Sequence, residues 1–558
     1  MNDLIIVRPE KCMGCNACVR NCPAPEANIT KMLDDGRFVT TVNNDRCIGC
    51  GECVKVCSHG ARDYLDDTDA CMTRIAKEKV IILAAPSIKT VFPKNWKGIL
   101  DWFRKKGCLI YDVSLGADIC TWAHLRAIET KKVGNIITQP CAAIVNYIET
   151  YQPKLLMNLS PIHSPIACAA TYIKKYKNMS NPIAVLNPCI AKRREFKETG
   201  LIDYNVTFKK LHEYFEKNDI KPSSHSETDL EYNFDDQQGQ LGAIYPRPGG
   251  LRDNLLAHDP ELMITISEGV HKVYPELDMY ASVPEYKHPE IFDVLSCEFG
   301  CNLGPGSGSS HTVFDVMSSM KNIEKEARSR RKTGIVFRSG DDRLFRKFDE
   351  ELKLSDFMRN YKAVPSTPKP TDKQLDEAYE LMGKHTPQER NFNCHACGYK
   401  SCREMAIAIC RGINTPDNCI VHTKAILASS HSGLTKQNEQ LSEITSACLG
   451  LSENLRKSIE SITNSVDTIE TSSSKIKDRT AVVNDLLKNV VTFCNENPTM
   501  DNNTVSQMIT ILESTIKAFS VFDENVKITN ENSSSINKSI SEISALVKEL
   551  NDKLQKKL

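Results

Sequence analysis

Asp293-Val294-Leu295-Ser296-Cys297-Glu298-Phe299-Gly300-Cys301-Asn302-Leu303-Gly304 sets two thiols four residues apart in a loop with Gly on either side of the second. Two earlier segments share that texture: Gln139-Pro140-Cys141-Ala142 and Asn187-Pro188-Cys189-Ile190-Ala191-Lys192. Four thiolates from three separated loops suit a cube-shaped iron–sulfur cluster, whose ligands converge from several directions. The competing reading is four unrelated buried thiols, because free cysteine is among the most buried residue types. The shared Pro and Gly neighbours, and the cluster motifs elsewhere in the chain, weigh against it.

At 558 residues the chain exceeds what one hydrophobic core normally supports, so several domains are expected. Lys plus Arg equals Asp plus Glu at 71 each, which gives no bulk attraction to nucleic acid or to an anionic membrane. Met1-Asn2-Asp3-Leu4-Ile5-Ile6-Val7 reads as a first strand, not a signal peptide, and no apolar run approaches the ~20 residues of a bilayer span. A soluble, cytoplasmic protein is expected. In that compartment 23 cysteines argue for metal, not for disulfides. Sixteen fall into cluster patterns; Cys71, Cys108, Cys120, Cys168, Cys410, Cys448 and Cys494 have no partner pattern and read as structural.

Residues 1–66 carry one signature twice: Cys12-x2-Cys15-x2-Cys18-x3-Cys22-Pro23, then Cys47-x2-Cys50-x2-Cys53-x3-Cys57-Ser58. This resembles the bacterial two-cluster ferredoxins, in which the fourth cysteine of each run crosses to the other cluster. The resemblance implies the sets Cys12, Cys15, Cys18, Cys57 and Cys47, Cys50, Cys53, Cys22. Common zinc spacings match the double motif poorly.

In residues 79–365, runs such as Val80-Ile81-Ile82-Leu83-Ala84-Ala85 and Ile183-Ala184-Val185-Leu186 read as buried parallel strands ending at Pro or Asn-Pro. Helical patterns over Ile144 to Thr150 and Ala169 to Lys177 alternate with them. An α/β block with its chemistry at the strand ends is expected. Gly304 to Ser310 is a loop that permits close backbone approach, too irregular for a nucleotide-binding fingerprint. A Pro/Ser/Thr linker at Pro365 to Pro370 precedes a short charged helix over 371–384. Cys394, Cys397, Cys402 and Cys419 then suit a further 4Fe–4S cluster, with structural zinc as the rival.

From about residue 430 core positions alternate four and three apart: Leu455, Ile459, Ile462, Val466, Ile469, Ser473, Ile476, Thr480, Val483, Leu487 and Val490. A second ladder runs from Val505 to Leu554. Sustained heptads predict a coiled coil. Asn495 to Asn503, with Pro498, breaks it, so the chain either folds back as a hairpin or kinks.

The three central loops, with the ferredoxin unit before them, resemble the FeFe-hydrogenases over residues 1–365. The resemblance implies that Cys141, Cys189, Cys297 and Cys301 hold the 4Fe–4S half of the H-cluster. Cys301 would also bridge to a two-iron subsite carrying carbonyl, cyanide and azadithiolate. Lys192 matches the lysine that hydrogen-bonds one cyanide, and Ala85-Pro86-Ser87 the stretch that cradles the other. An anionic, hydrogen-bond-accepting ligand in a dry pocket needs such donors.

This sequence departs from the family along the proton route. Pro140 stands where active members usually carry a second cysteine. Ala123, His124 and Ala127 occupy the region of the acidic relay. Asn187 and Leu295 replace two methionines. His124 is a candidate substitute relay, because imidazole titrates near neutral pH; a packed histidine is the alternative. These departures, with the C-terminal four-cysteine motif, are similar to the divergent sensory branches of the family. The C-terminal region resembles chemoreceptor-like rods in its Ser/Asn/Ile texture but lacks their Ala-rich tip.

The expected fold is therefore multidomain α+β and α/β. It comprises a ferredoxin-like two-cluster domain (1–66), an α/β H-cluster domain (79–365), a linker with a short helix (366–390), a small 4Fe–4S domain (391–425) and an α-helical coiled coil (430–558). The resemblance implies reversible splitting of H2, slow and suited to H2 sensing, with electrons relayed through 4Fe–4S clusters. Expected partners are ferredoxin or another redox protein, hydrogenase maturation proteins, a signalling partner and a second copy of the chain. The alternatives are a catabolic ferredoxin-linked hydrogenase and a non-catalytic iron–sulfur assembly or scaffold protein.

Overall fold

The computed structural model describes residues 4–130, 134–308, 310–331, 343–496 and 501–555. Ser309, Pro498 and the side chains of Cys494 and Leu554 lie outside the described residues. The described residues divide into two compact units, one ending at Thr423 and one beginning at Lys424.

The ferredoxin-like part has four short strands, β1 (Ile5–Val7), β2 (Asn28–Met32), β3 (Phe38–Val42) and β4 (Arg62–Tyr64). β1 pairs antiparallel with β4, and β2 with β3. The central block adds β5 (Ile81–Ala84), β6 (Leu109–Asp112), β7 (Ile136–Ile137), β8 (Ile183–Asn187), β9 (Tyr204–Thr207), β10 (Ile264–Glu268) and β11 (Ile291–Leu295). They form two parallel sheets, β6-β5-β8-β9 and β10-β11-β7.

Successive side chains of a strand point to opposite faces, and β5 has no polar residue with which to face water. Ile81 and Leu83 enter a core with Val113, Leu115 and Ile119, from the helix Val113–Glu129. Ile82 and Ala84 enter the core of Trp96, Phe103 and Leu186 on the other face. Asp112, the last residue of β6, caps that helix by accepting the Ser114 N–H at 2.9 Å.

Close approach at two glycines joins the iron-binding modules within the first unit. Gly51 has φ of +76°, and a Cβ there would lie 2.4 Å from Pro305 Cγ of the central block. Gly398, with φ of +93°, would place a Cβ 2.8 Å from Val19 Cβ of the ferredoxin unit. The module around residues 391–421 is further tied to that unit. The Asn16 side-chain amide donates to Asn418 at 2.9 Å, the Thr30 N–H donates to the Ile413 carbonyl at 2.8 Å, and Arg411 pairs with Glu26.

The charged segment 371–384 forms the helix Asp372–Leu381, closed by a Thr371/Gln374 capping box. Two long helices follow, Ile420–Glu496 and Asn502–Gln555. Ser473 donates its hydroxyl to the Val526 carbonyl at 3.4 Å, and Asn537 donates to Glu470 at 3.3 Å, so the second helix runs back along the first. The arrangement is a hairpin, not a kinked rod. Only part of the apolar ladder is covered within the chain: Val466, Ser473 and Thr480 are buried, whereas Leu455, Ile462 and Ile469 stay exposed. No helix among the described residues is long and apolar enough to cross a membrane.

Candidate functional site

Four parallel strands deliver their carboxyl ends to one cavity of about 100 Å³. β5 runs into Ala85-Pro86-Ser87, β8 into Pro188-Cys189 and β11 into Ser296-Cys297; Pro140-Cys141 follows β7 after two further residues. Cys141, Cys189, Cys297 and Cys301 all line this cavity. So do Lys192 and the Ala85-Pro86-Ser87 stretch. Switch-point loops at strand ends are where open parallel sheets place their ligands.

Side-chain amides fix the thiol loops. The Cys189 N–H donates to Asn187 Oδ1 at 2.8 Å, and Asn205 donates to the Cys189 carbonyl at 3.1 Å. The Cys301 N–H donates to the Pro246 carbonyl at 2.8 Å, as does the Asn302 amide at 3.1 Å. Thr90 then donates its hydroxyl to Asn302 at 2.8 Å, linking the Cys301 loop to the helix that follows Ser87. Asn187, Leu295 and Pro140 also line the cavity.

Burial, reinforced by the neighbouring thiols, pushes Cys189 up to about 11 and Cys301 up to about 12, and raises Cys297 well above its ordinary value. Packed sulfurs that resist losing protons on their own are suited to losing them to a metal, which supplies the missing positive charge. The remaining walls are mostly apolar, including Val113, Ala117 and Ile166. Among the described residues the buried Ser87 hydroxyl has no hydrogen-bond partner. Four sulfurs, one cation and one orphaned donor in a dry cavity fit an anionic iron–sulfur group whose other ligands accept hydrogen bonds.

Lys192 pairs with Glu195 one helical turn on. Glu195 also accepts the Ser164 hydroxyl at 2.5 Å and lies 3.8 Å from Arg359. The family resemblance pointed to Lys192, three residues after Cys189, and not to Glu195, whose i, i+3 spacing on a helix was the available signal.

His124 does not line the cavity. It is sealed inside the helix Val113–Glu129, with Nδ1 donating to the Cys120 carbonyl at 2.8 Å. That leaves Nε2 to accept the Ser160 hydroxyl at 2.9 Å. Burial alone would lower its pKa, but the facing Cys120 outweighs this and holds it above the ordinary value. Ala123 and Ala127 are buried on the same helix.

In the ferredoxin-like part Cys22 acts on the second run: burial, then Cys47, pushes it up to about 12, and it in turn raises Cys50. Cys18 instead feels Cys12 and Cys15. Cys50 packs with Cys141 and Cys189 around Ala142, Ala143 and Ala191, so the second run lies against the central cavity. At the other end Cys18 packs in the core that holds Cys397 and Cys419. Cys394, Cys397, Cys402 and Cys419 line a second small cavity. Among the described residues, no three Cys, His or carboxylate groups converge tightly enough for a single metal ion.

Residues 78–305 match the family model described as iron only hydrogenase large subunit, C-terminal domain. Residues 11–61 match a 4Fe-4S dicluster domain, and residues 391–421 an Fe-S cluster family. No curated protein matches the sequence. Among solved structures, the chain is similar to an FeFe-hydrogenase, HydA, from work on stepwise H-cluster assembly. The identity is 14%, the match covers 54% of this chain and 99% of that one, and the TM-score is 0.40. A variant of the FeFe-hydrogenase HydA1 from Chlamydomonas reinhardtii is similar at 13% identity, covering 54% of this chain and all of that one, with a TM-score of 0.41. Residues 78–305 are thus similar to the iron-only hydrogenase large subunit, in a chain that sets a segment similar to a 4Fe-4S dicluster domain before them and one similar to an Fe-S cluster family after.

Proposed function

We propose that this protein splits H2 reversibly and slowly, and serves as an H2 sensor. The observation that carries this reading is the single cavity shared by Cys141, Cys189, Cys297, Cys301, Lys192 and the orphaned Ser87 hydroxyl. When bound there, an H-cluster supplies the iron at which H2 is cleaved; the chain holds it, orients it and keeps water out. Lys192 and Ser87 serve as donors to its two cyanides. A protein that held only a plain cubane would have no use for them, which disfavours the scaffold alternative.

Slowness follows from the walls. Pro140 offers no acidic proton, and general acid–base help is worth ~10²–10⁴-fold. His124, bonded to Ser160, is proposed as a proton carrier behind the wall. If His124→Ala leaves the pH profile of turnover unchanged, it has no such role.

The cysteine sets are proposed to conduct electrons in spatial order: the central cavity, the Cys47 run, the Cys12 run, then the Cys394 set. Support comes from the contacts of Cys50 with Cys141 and of Cys18 with the core around Cys397. A redox protein such as ferredoxin and a signalling partner are the proposed recipients, maturation proteins supply the two-iron part, and the helical hairpin pairs two copies of the chain. Infrared spectroscopy of protein matured with the two-iron subsite tests the central claim. Carbonyl and cyanide bands are expected; their absence after maturation would leave the scaffold reading.

A further inference from the structure

The helical hairpin has two heptad seams, and only one is used within the chain. In the first helix Ser452, Val466, Ser473 and Thr480 are buried at multiples of seven. In the second, Val526, Ser533 and Val547 answer them. This inner seam is small and partly polar. Three residues further along each repeat stand Leu455, Ile462, Ile469 and Ile476 on one helix, and Ile536, Ile543 and Leu550 on the other. They are larger, wholly apolar and 36–49% exposed. The helices run in opposite directions, so an offset of three residues in each turns both outer seams to the same side. The hairpin thus presents one two-helix apolar face with a strict seven-residue period.

The first helix also outruns its partner. Ser473 sits on the Val526 carbonyl, so the end of the second helix at Gln555, 29 residues on, falls level with about residue 444, 29 residues back. Below that level the outer seam continues without a break through Leu441, Leu434 and Leu427, which are 62%, 60% and 62% exposed. A single helix with an exposed leucine every seventh residue is not stable in water.

We infer that a second copy of this chain covers the outer seam in parallel and in register, making a four-helix bundle along the hairpin and a two-stranded coiled coil over residues 424–444. This rests on the homodimer proposed above and specifies its interface. Parallel pairing is the arrangement that sets lone helix against lone helix and hairpin face against hairpin face. It also brings Cys448, seven residues after Leu441 and seven before Leu455, level with its own twin, where the four-helix bundle narrows to the two-stranded coil.

The test uses the full chain under anaerobic conditions. Sedimentation should show a dimer for the native sequence. The double variant Ile462→Glu/Ile469→Glu should weaken association at least 100-fold while helical circular dichroism is retained, because the inner seam is untouched. Diamide should join two Cys448 thiols, taking up their two electrons and two protons, and give a covalent dimer that Cys448→Ser lacks. A variant that associates like the native chain would overturn the seam assignment but leave the dimer standing. A monomeric native chain would remove the dimer itself. A seam-dependent dimer with no Cys448 cross-link would overturn the parallel register.

Discussion

Lys192 and Glu195 are bound to one another 5% and 4% exposed, so a cation lining the four-cysteine cavity owes its position to a buried carboxylate. Removing one member of such a pair leaves an uncompensated buried charge. Glu195→Gln should cost about 3 kcal/mol in unfolding free energy, read by denaturant titration, and should shift the cyanide band that Lys192 is proposed to serve.

The same pair predicts an acid limit. Burial opposes the Glu195 charge, but Lys192, Arg359 and Ser164 outweigh it and hold the carboxyl below its ordinary 4.5. A depressed carboxyl stabilises the fold above the unfolded value and loses that contribution as pH falls through the folded one. Stability should therefore be insensitive to this group from pH 7 to 5 and decline below about 4.5. Glu195→Gln should lack that part of the decline in melting temperature.

Pro140→Cys should restore a proton donor at the wall of the cavity. Turnover of the matured protein should rise by ~10²–10⁴-fold in an H2-uptake assay. An unchanged rate would mean that slowness has another source.

Gly51→Ala should be far worse than Gly60→Ala. Both glycines have positive φ, at +76° and +64°, so both variants carry backbone strain of ~1–2 kcal/mol. At Gly60 nothing lies within 4 Å, whereas at Gly51 the added carbon meets Pro305. Melting curves should separate the two, and only Gly51→Ala should lose iron at the Cys47 run.

Cys397→Ser should remove about 4 iron atoms per chain from the reconstituted protein and no zinc, measured by elemental analysis. Equal iron in both proteins, with zinc lost, would return the zinc reading.

The convergence of Cys141, Cys189, Cys297 and Cys301 on one cavity was legible because their loops share Pro and Gly neighbours, a texture written in the chain. The strands were legible for a related reason: a β5 sequence without polar groups can only be buried on both faces. What stayed hidden depends on partners distant in sequence. Nothing near Lys192 announces Arg359 or Ser164. Nothing near Gly398 announces Val19, though that contact puts the four-cysteine module against the ferredoxin unit. The heptads announced long helices but not which half of the ladder turns inward, because both seams carry the same period. His124 was picked for its chemistry, and its helix carries it behind the cavity wall.

Thr423, in the first turn of the 77-residue helix, donates its N–H to the Cys419 carbonyl at 2.9 Å and its hydroxyl to the Asp417 carbonyl at 2.7 Å. The root of that helix is thus tied to a residue whose sulfur is proposed to bind iron. A cell short of iron would make a molecule that frays at this root, so incomplete assembly should announce itself as protease-sensitive chain near residue 420 before any redox defect is measured.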